Sequence, residues 1–191
     1  VNKKNIALFL GPNFHHVIYP LNSNSDLNFI AIMKHALSLE EQRNYSLFSE
    51  NSFIKKISEN IPHEFKEFFA YIKELKIFPV FVSDKFFEVE NNNIHLIGDA
   101  FFAFPPSFAQ GASQSIESAY ELFKNIENNT VSNFFNNRVK KTKMVNIRSK
   151  FNQFAFHLSN PLTIFFRNIF MKSLVKNKKF LESYLGKIYK N

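Results

Sequence analysis

The sequence predicts a mixed α/β protein of the α+β type, with a short antiparallel sheet, a strand–loop–helix unit and a basic helical tail. Two observations support this fold class. Short apolar runs separated by turn signals fill the first third of the chain, and a helical period of apolar residues follows Gly111. With 191 residues the chain can bury a sizeable core. We expect a sheet with a helical insertion over 1–91, the strand–loop–helix unit over 92–135 and the tail over 136–191.

The first third favours an antiparallel meander. Residues 6–10 form a short apolar run that ends at the turn signal Gly11-Pro12-Asn13, and 15–21 resumes the strand pattern. After a polar loop, 27–33 is again rich in β-branched and aromatic residues. Three strands joined by short connections are typical of neighbours in an antiparallel sheet.

The middle of the chain changes period twice. Around Phe48 and Phe53, and again around Phe65 and Phe69, apolar residues recur at helical spacing, and Pro62 is expected to separate two short helices. Residues 77–82, 86–89 and 94–97 return to strand character.

A helix is predicted to begin near Gly111 and to bury one apolar face, formed by Ile116, Ala119, Tyr120, Phe123 and Ile126. Beyond Thr130 the chain is expected to be helical to its end, with a break at 159–161. The apolar stretch 162–175 is interrupted by Arg167, Asn168 and Lys172, so it is too short and too charged to span a bilayer.

Charge and cysteine content exclude several classes of function. The net charge of +8 resides in the tail, because thirteen Lys or Arg and one acid, Glu182, follow residue 137. This uneven distribution argues against general nucleic-acid binding, and no base-stacking module accompanies the charge. The absence of cysteine excludes disulfides, thiolate metal sites and cysteine nucleophiles. With no signal-like apolar segment at the first residues, a cytoplasmic location is expected.

The most informative segment is 98–119, which follows the predicted strand 94–97. Gly98 allows a backbone conformation or a close approach that a side chain would block. The Asp99 carboxylate can accept hydrogen bonds from sugar-type hydroxyls, and the following helix carries no acid before Glu117, so its N-terminal amides remain available to an anion. The alternative is a simple Gly-Asp turn with Ser113 capping the helix.

The run from Gly98-Asp99-Ala100 through Pro105-Pro106 to Gln110-Gly111-Ala112-Ser113 resembles, without a gap, the second flavin-binding motif of the group A flavoprotein monooxygenases. This family includes para-hydroxybenzoate hydroxylase and salicylate hydroxylase. Residues 10–20 are similar to the substrate-domain sheet of salicylate-hydroxylase-like members, and 138–168 to their helical C-terminus. The resemblance therefore covers most of the chain, although only the central motif is specific.

The resemblance implies an FAD-dependent monooxygenase that uses NADH or NADPH and molecular oxygen to hydroxylate a small aromatic compound through a flavin hydroperoxide. Asp99, with Gly98, would hold the ribityl chain of FAD. Gln110, Gly111, Ala112 and Ser113 would lie at the pyrimidine end of the flavin ring. Pro105 and Pro106 would lie beside its reactive edge, with Pro106 and Phe108 facing the substrate. The cofactor supplies the chemistry, so no catalytic side chain is expected.

The sequence departs from the family pattern in several places. Phe102 replaces the usual His, Ala109 replaces the first Gly of a Gly-Gln-Gly turn, Ser113 replaces Asn, and Ser118 replaces the second acid of Glu-Asp-Ala. The four glycines cannot form the Gly-x-Gly-x-x-Gly fingerprint that holds the ADP half of FAD. We therefore expect a C-terminal fragment, inactive in isolation, whose N-terminal dinucleotide-binding half is missing.

Two other possibilities arise from the residues. The six histidines have no metal-chelating spacing and are expected to be surface or core residues, with His15 and His16 on opposite faces of a strand. In the tail, aromatic residues such as Phe165 and Phe170 alternate with lysines, which would suit an amphipathic helix on a membrane surface. A degenerate, non-catalytic relative that binds a membrane or partner through this tail is the alternative function. For this helix we expect instead packing on the protein body with its lysines in water.

Overall fold

The structure, a computed structural model, describes residues 5–21, 26–59, 61, 71–72, 74–89 and 93–189. It is mixed α/β and mostly helical, with one small antiparallel sheet, which confirms the predicted fold class at that level. The chain divides into two compact units, one formed by 1–34 with 81–191 and the other by 35–80.

The sheet contains three strands in the order β1-β2-β3: β1 (Ala7–Gly11), β2 (Phe14–Leu21) and β3 (Asp26–Met33). Both pairings are antiparallel, with Gly11 opposite Phe14 and Phe14 opposite Met33. The predicted meander is thus confirmed. The β1–β2 turn places Asn13 at a positive φ of 62°, a conformation that Asn tolerates better than most residues.

The unit 35–80 contains the two short helices α1 (Leu39–Arg43) and α2 (Asn51–Ser58), separated by a 3₁₀ turn at Tyr45–Ser49. Ser38 begins α1 with a capping box, in which its hydroxyl and the Glu41 carboxylate each accept a backbone N–H of the other residue. Phe48 and Phe53 pack edge to face, which confirms the first stretch of helical spacing. The second stretch, at 65–69, lies outside the described residues.

The three strands predicted at 77–82, 86–89 and 94–97 are wrong. The structure assigns no strand to these segments. Ile97 has extended backbone angles, but a strand also requires a hydrogen-bonded neighbour, and no ladder partner for these segments occurs among the described residues. Between the first two of these segments, the Ser83 amide donates to the Ala103 carbonyl at 3.0 Å.

The remaining elements belong to the unit that contains the sheet. They are α3 (Gly98–Phe101), a 3₁₀ turn at Pro106–Phe108, α4 (Gly111–Glu127), a 3₁₀ turn at Val131–Asn133, α5 (Phe134–Phe156), α6 (Pro161–Leu174) and α7 (Lys178–Tyr189). The helical tail and its break before Pro161 are confirmed, and a second break follows Leu174. No helix in the described part of the chain is long and apolar enough to cross a membrane.

The predicted orientation of α4 is wrong. Its apolar stripe, which includes Ile116, Tyr120 and Phe123, faces solvent, whereas Gln114 and Ser118 on the opposite face are buried. The reason is the neighbouring helix α5, which places the buried guanidinium of Arg138 against the polar face of α4. A buried cation requires hydrogen-bonding and anionic partners, and only the polar face supplies them.

Candidate functional site

The candidate site is formed by the segment 98–113, and Gly98 shapes its beginning. Gly98 has a left-handed backbone with φ of +57°, and a Cβ at this position would lie 2.7 Å from the Ser115 hydroxyl oxygen. Both observations require glycine, as the sequence predicted. The close approach is made to α4, so the Gly-Asp turn is packed directly on the helix that follows it.

Two serines of α4 hold this turn, and sequence reasoning missed both roles. The Gly98 amide donates to the Ser118 hydroxyl at 3.1 Å, and that hydroxyl donates to the Ser115 carbonyl at 2.9 Å. The Ser115 hydroxyl donates to the Gly111 carbonyl at 3.0 Å. From the sequence, Ser118 stands out only because it replaces the second acid of the Glu-Asp-Ala pattern. Its small side chain is what lets the turn and the helix meet.

Asp99 lies in the single helical turn α3, not in an extended strand-to-loop connection. Its side chain is exposed and makes no hydrogen bond or ion pair with the described part of the chain. The carboxylate therefore keeps its full capacity to accept hydrogen bonds from an external group.

Phe102, at the position where the family has His, fills the interior behind α3. It is buried and stacks on Phe86 with ring centroids 4.6 Å apart. The polar contact that a histidine would offer here is replaced by aromatic packing.

The Pro-Pro loop passes through a tight turn before α4. Pro105 is buried and Pro106, which begins the 3₁₀ turn, is exposed. Ala109 ends that turn in the left-handed region, with φ of 51° and ψ of 35°. This geometry explains why a glycine suits the position, since a Cβ disfavours left-handed backbone angles.

The start of α4 has no capping side chain and no acid in its first turn. The alternative in which Ser113 caps the helix is therefore not observed. Gln110 stands at the cap position and is buried, Ala112 is exposed, and a Cβ at Gly111 would meet nothing within 4 Å. Among the described residues, therefore, no side chain caps the N-terminal amides of this 17-residue helix.

Two residues of the tail support the Pro-Pro loop from behind. The Asn152 amide donates to the Ser107 carbonyl at 3.3 Å, and its side-chain oxygen accepts the Tyr184 hydroxyl at 2.8 Å. The Tyr184 ring also packs edge to face on Phe108, with centroids 5.6 Å apart. Burial raises the pKa of Tyr184, and the nearby Arg148 opposes that shift. Because these residues are distant in sequence, no local pattern could reveal them.

Arg138 anchors α5 to α4. Its guanidinium donates to the Gln114 side chain at 3.0 Å and to the Glu121 carboxylate at 3.2 Å, and Glu117 lies at 3.5 Å. The signal available in the sequence was the pair of acids at 117 and 121, which share one helix face.

A histidine cluster joins β2 to the end of α5. The His15 Nδ1 and His157 Nε2 atoms lie 2.8 Å apart, and His15 and His16 are both fully buried. Burial lowers the pKa of each strand histidine from 6.5 to about 4. Burial also lowers the pKa of His157, with a further contribution from the positive charge of Lys34. His15 and His16 are therefore core residues and His157 is half-buried, which agrees with the expectation that the histidines lie in the core or at the surface.

Two cavities open on this unit. One of about 310 Å³ has mainly apolar walls, among them Phe87, Phe101 and Phe134, together with His95 and Glu88. A broader one of about 560 Å³ lies beside His157 and is lined by polar groups, including Lys34 and Lys150. Among the described residues, no group of three or more His, Cys, Asp or Glu side chains could hold a metal ion.

No protein-family model, curated protein or solved structure matches the chain.

Proposed function

We propose that this chain forms the flavin-ring side of an FAD-dependent monooxygenase that hydroxylates a small aromatic compound. One observation carries the proposal: the Gly98 turn packs on a helix N-terminus without a side-chain cap and presents an Asp99 carboxylate that has no partner among the described residues. An acceptor for ribityl hydroxyls and a set of amide donors for the ring are the two kinds of group that this half of FAD needs. The continuous sequence resemblance over 98–113 supports the same assignment.

The residues present suit one half of the cofactor only. Asp99 and Gly98 would hold the ribityl chain, and Gln110, Gly111, Ala112 and Ser113 would border the pyrimidine end of the ring. When bound, FAD would supply oxygen activation with electrons from NADH or NADPH. The positive end of α4 favours negative charge on the adjacent ring, and the rigid Pro105-Pro106 pair would limit how a substrate approaches.

The ADP half of FAD would be held elsewhere, because the four glycines of this chain form no Gly-x-Gly-x-x-Gly turn. The partner we propose is the dinucleotide-binding half of the same protein. The exposed apolar stripe of α4 is available to it. Without that half we expect no NADH or NADPH oxidation by the chain alone.

Flavin titration of the chain tests the proposal. We expect FMN, which contains the ring and ribityl chain but lacks AMP, to bind as well as FAD does. Asp99→Asn should weaken binding about tenfold or more, since a hydrogen bond to a charged acceptor contributes roughly 1.5–3 kcal/mol. Asp84→Asn is the matched control, because Asp84 is an exposed acid of the same unit. Absence of flavin binding, or equal affinity in both variants, would reject the proposal.

A further inference from the structure

Helix α6 carries an exposed apolar stripe in the basic tail. Five large side chains share this stripe at helical spacing, and each is 53–67% exposed: Leu162, Phe165, Phe166, Ile169 and Phe170. We call this stripe the outer face of α6. It is formed by residues i, i+3, i+4, i+7 and i+8, which lie on one side of a helix.

The opposite side of α6 is attached to the protein. Arg167 donates from one guanidinium nitrogen to the carbonyls of Ala155 at 3.2 Å and Phe156 at 3.3 Å, at the end of α5. Ile164 and Met171 on that side are half-buried. The expectation that α6 packs on the protein body is thus correct for one side of the helix. The outer face is left in contact with solvent.

Exposed lysines lie at the C-terminal end of the outer face. Lys172 lies in the last turn of α6, Lys176 follows the end of the helix, and Lys178 and Lys179 begin α7. All four are exposed, and none forms an ion pair within the described residues. Residues 161–191 contain seven Lys or Arg and one acid, Glu182.

We propose that the outer face of α6 docks on the surface of an anionic lipid bilayer. Phenylalanine, leucine and isoleucine side chains would enter the region between headgroups and acyl chains, while the lysine stems reach back to the negative headgroups. The charge argues for lipid over a second copy of the chain, because two such faces would place like charges together. The inference is independent of flavin binding.

Vesicle sedimentation with the full chain tests this surface. The chain should pellet with vesicles of phosphatidylcholine containing roughly one-quarter phosphatidylglycerol, and this fraction should fall with added salt. It should remain in the supernatant with pure phosphatidylcholine. Changing Phe166 and Phe170 together to Ser should reduce partitioning about tenfold or more, through loss of buried apolar area.

Two matched pairs of control variants distinguish docking through the outer face of α6 from non-specific adsorption to vesicles. Phe123→Ser with Ile126→Ser removes comparably exposed apolar side chains from α4 and should leave partitioning unchanged. Lys172→Gln with Lys176→Gln should weaken binding to anionic vesicles, whereas Lys140→Gln with Lys143→Gln should have a smaller effect. Equal losses from the α4 and α6 variants would overturn the proposal. So would self-association of the chain that the Phe166 and Phe170 changes abolish, because the outer face would then be a contact between copies.

Discussion

Replacing Gly98 by alanine should destabilise the unit that contains the sheet, because two separate features of Gly98 exclude a Cβ. The backbone is left-handed, with φ of +57°. In addition, the new Cβ would lie 2.7 Å from the Ser115 hydroxyl oxygen and 3.2 Å from the Ser115 Cβ. The first distance can be relieved by rotating the hydroxyl, but the second involves an atom fixed to α4.

The expected loss of stability is the sum of a backbone contribution and a hydrogen-bond contribution. A left-handed backbone costs an L-residue about 1–2 kcal/mol relative to glycine. Rotating the Ser115 hydroxyl away breaks its 3.0 Å bond to the Gly111 carbonyl, a net loss of about 1 kcal/mol. We therefore expect Gly98→Ala to lower the free energy of unfolding by about 2–3 kcal/mol.

Urea unfolding followed by circular dichroism measures this loss. Gly111→Ala is the control, because a Cβ there meets nothing within 4 Å and the residue has no positive φ. It should leave stability unchanged or raise it by up to about 1 kcal/mol. Ser115→Ala should cost about 1 kcal/mol in the unchanged chain but little in the Gly98→Ala variant, where the bond from its hydroxyl to the Gly111 carbonyl is already broken. If Gly98→Ala unfolds at the same urea concentration as the unchanged chain, the reasoning about this turn is refuted.

The structure also determines the direction of three further effects, two on stability and one on amide exchange. Ala109→Gly should raise the free energy of unfolding by about 0.5–1 kcal/mol in the same urea assay, because Ala109 is left-handed, and a loss of stability would contradict this. Stability should fall as pH drops below 6.5, because the folded-state pKa values of His15 and His16 are lowered to about 4 and protonation favours the unfolded chain. Between pH 6.5 and 5 the loss should be about 1.5 kcal/mol per histidine, and a urea midpoint independent of pH over that range would count against buried neutral imidazoles. Tyr184→Phe should speed amide exchange in the Pro-Pro loop by removing the hydroxyl donor to Asn152, and unchanged exchange would show that the tail does not support the loop.

The sheet was predictable because its information is local. The turn signal at Gly11-Pro12-Asn13 and the short apolar runs on either side suffice to identify strands that pair with their neighbours in sequence. The segments 77–82, 86–89 and 94–97 are also apolar runs with β-branched or aromatic residues. They form no strand because composition describes a residue's preference, whereas a strand also requires a partner.

For the segment 98–113, one local feature could be predicted from the sequence. The need for glycine at 98 could be predicted from its position before Asp99, and the left-handed backbone at that residue agrees with it. The contacts that support the site could not be read in this way. Asn152 is 45 residues from Ser107, and Tyr184 reaches Asn152 from another helix. Such contacts depend on how helices meet, which is a property of the whole fold.

Helix α4 shows why a correct period can lead to a wrong orientation. The apolar residues lie on one face as expected, and that spacing depends only on 3.6 residues per turn. Which face becomes buried depends on the neighbour. Here the neighbour contributes Arg138, whose buried guanidinium would be left unpaired against the apolar stripe but finds Gln114 and Glu121 on the polar one. Leaving a buried charge unpaired costs about 3–5 kcal/mol, comparable to the burial of two large apolar side chains. The polar contact can therefore decide the orientation, and the apolar stripe remains exposed.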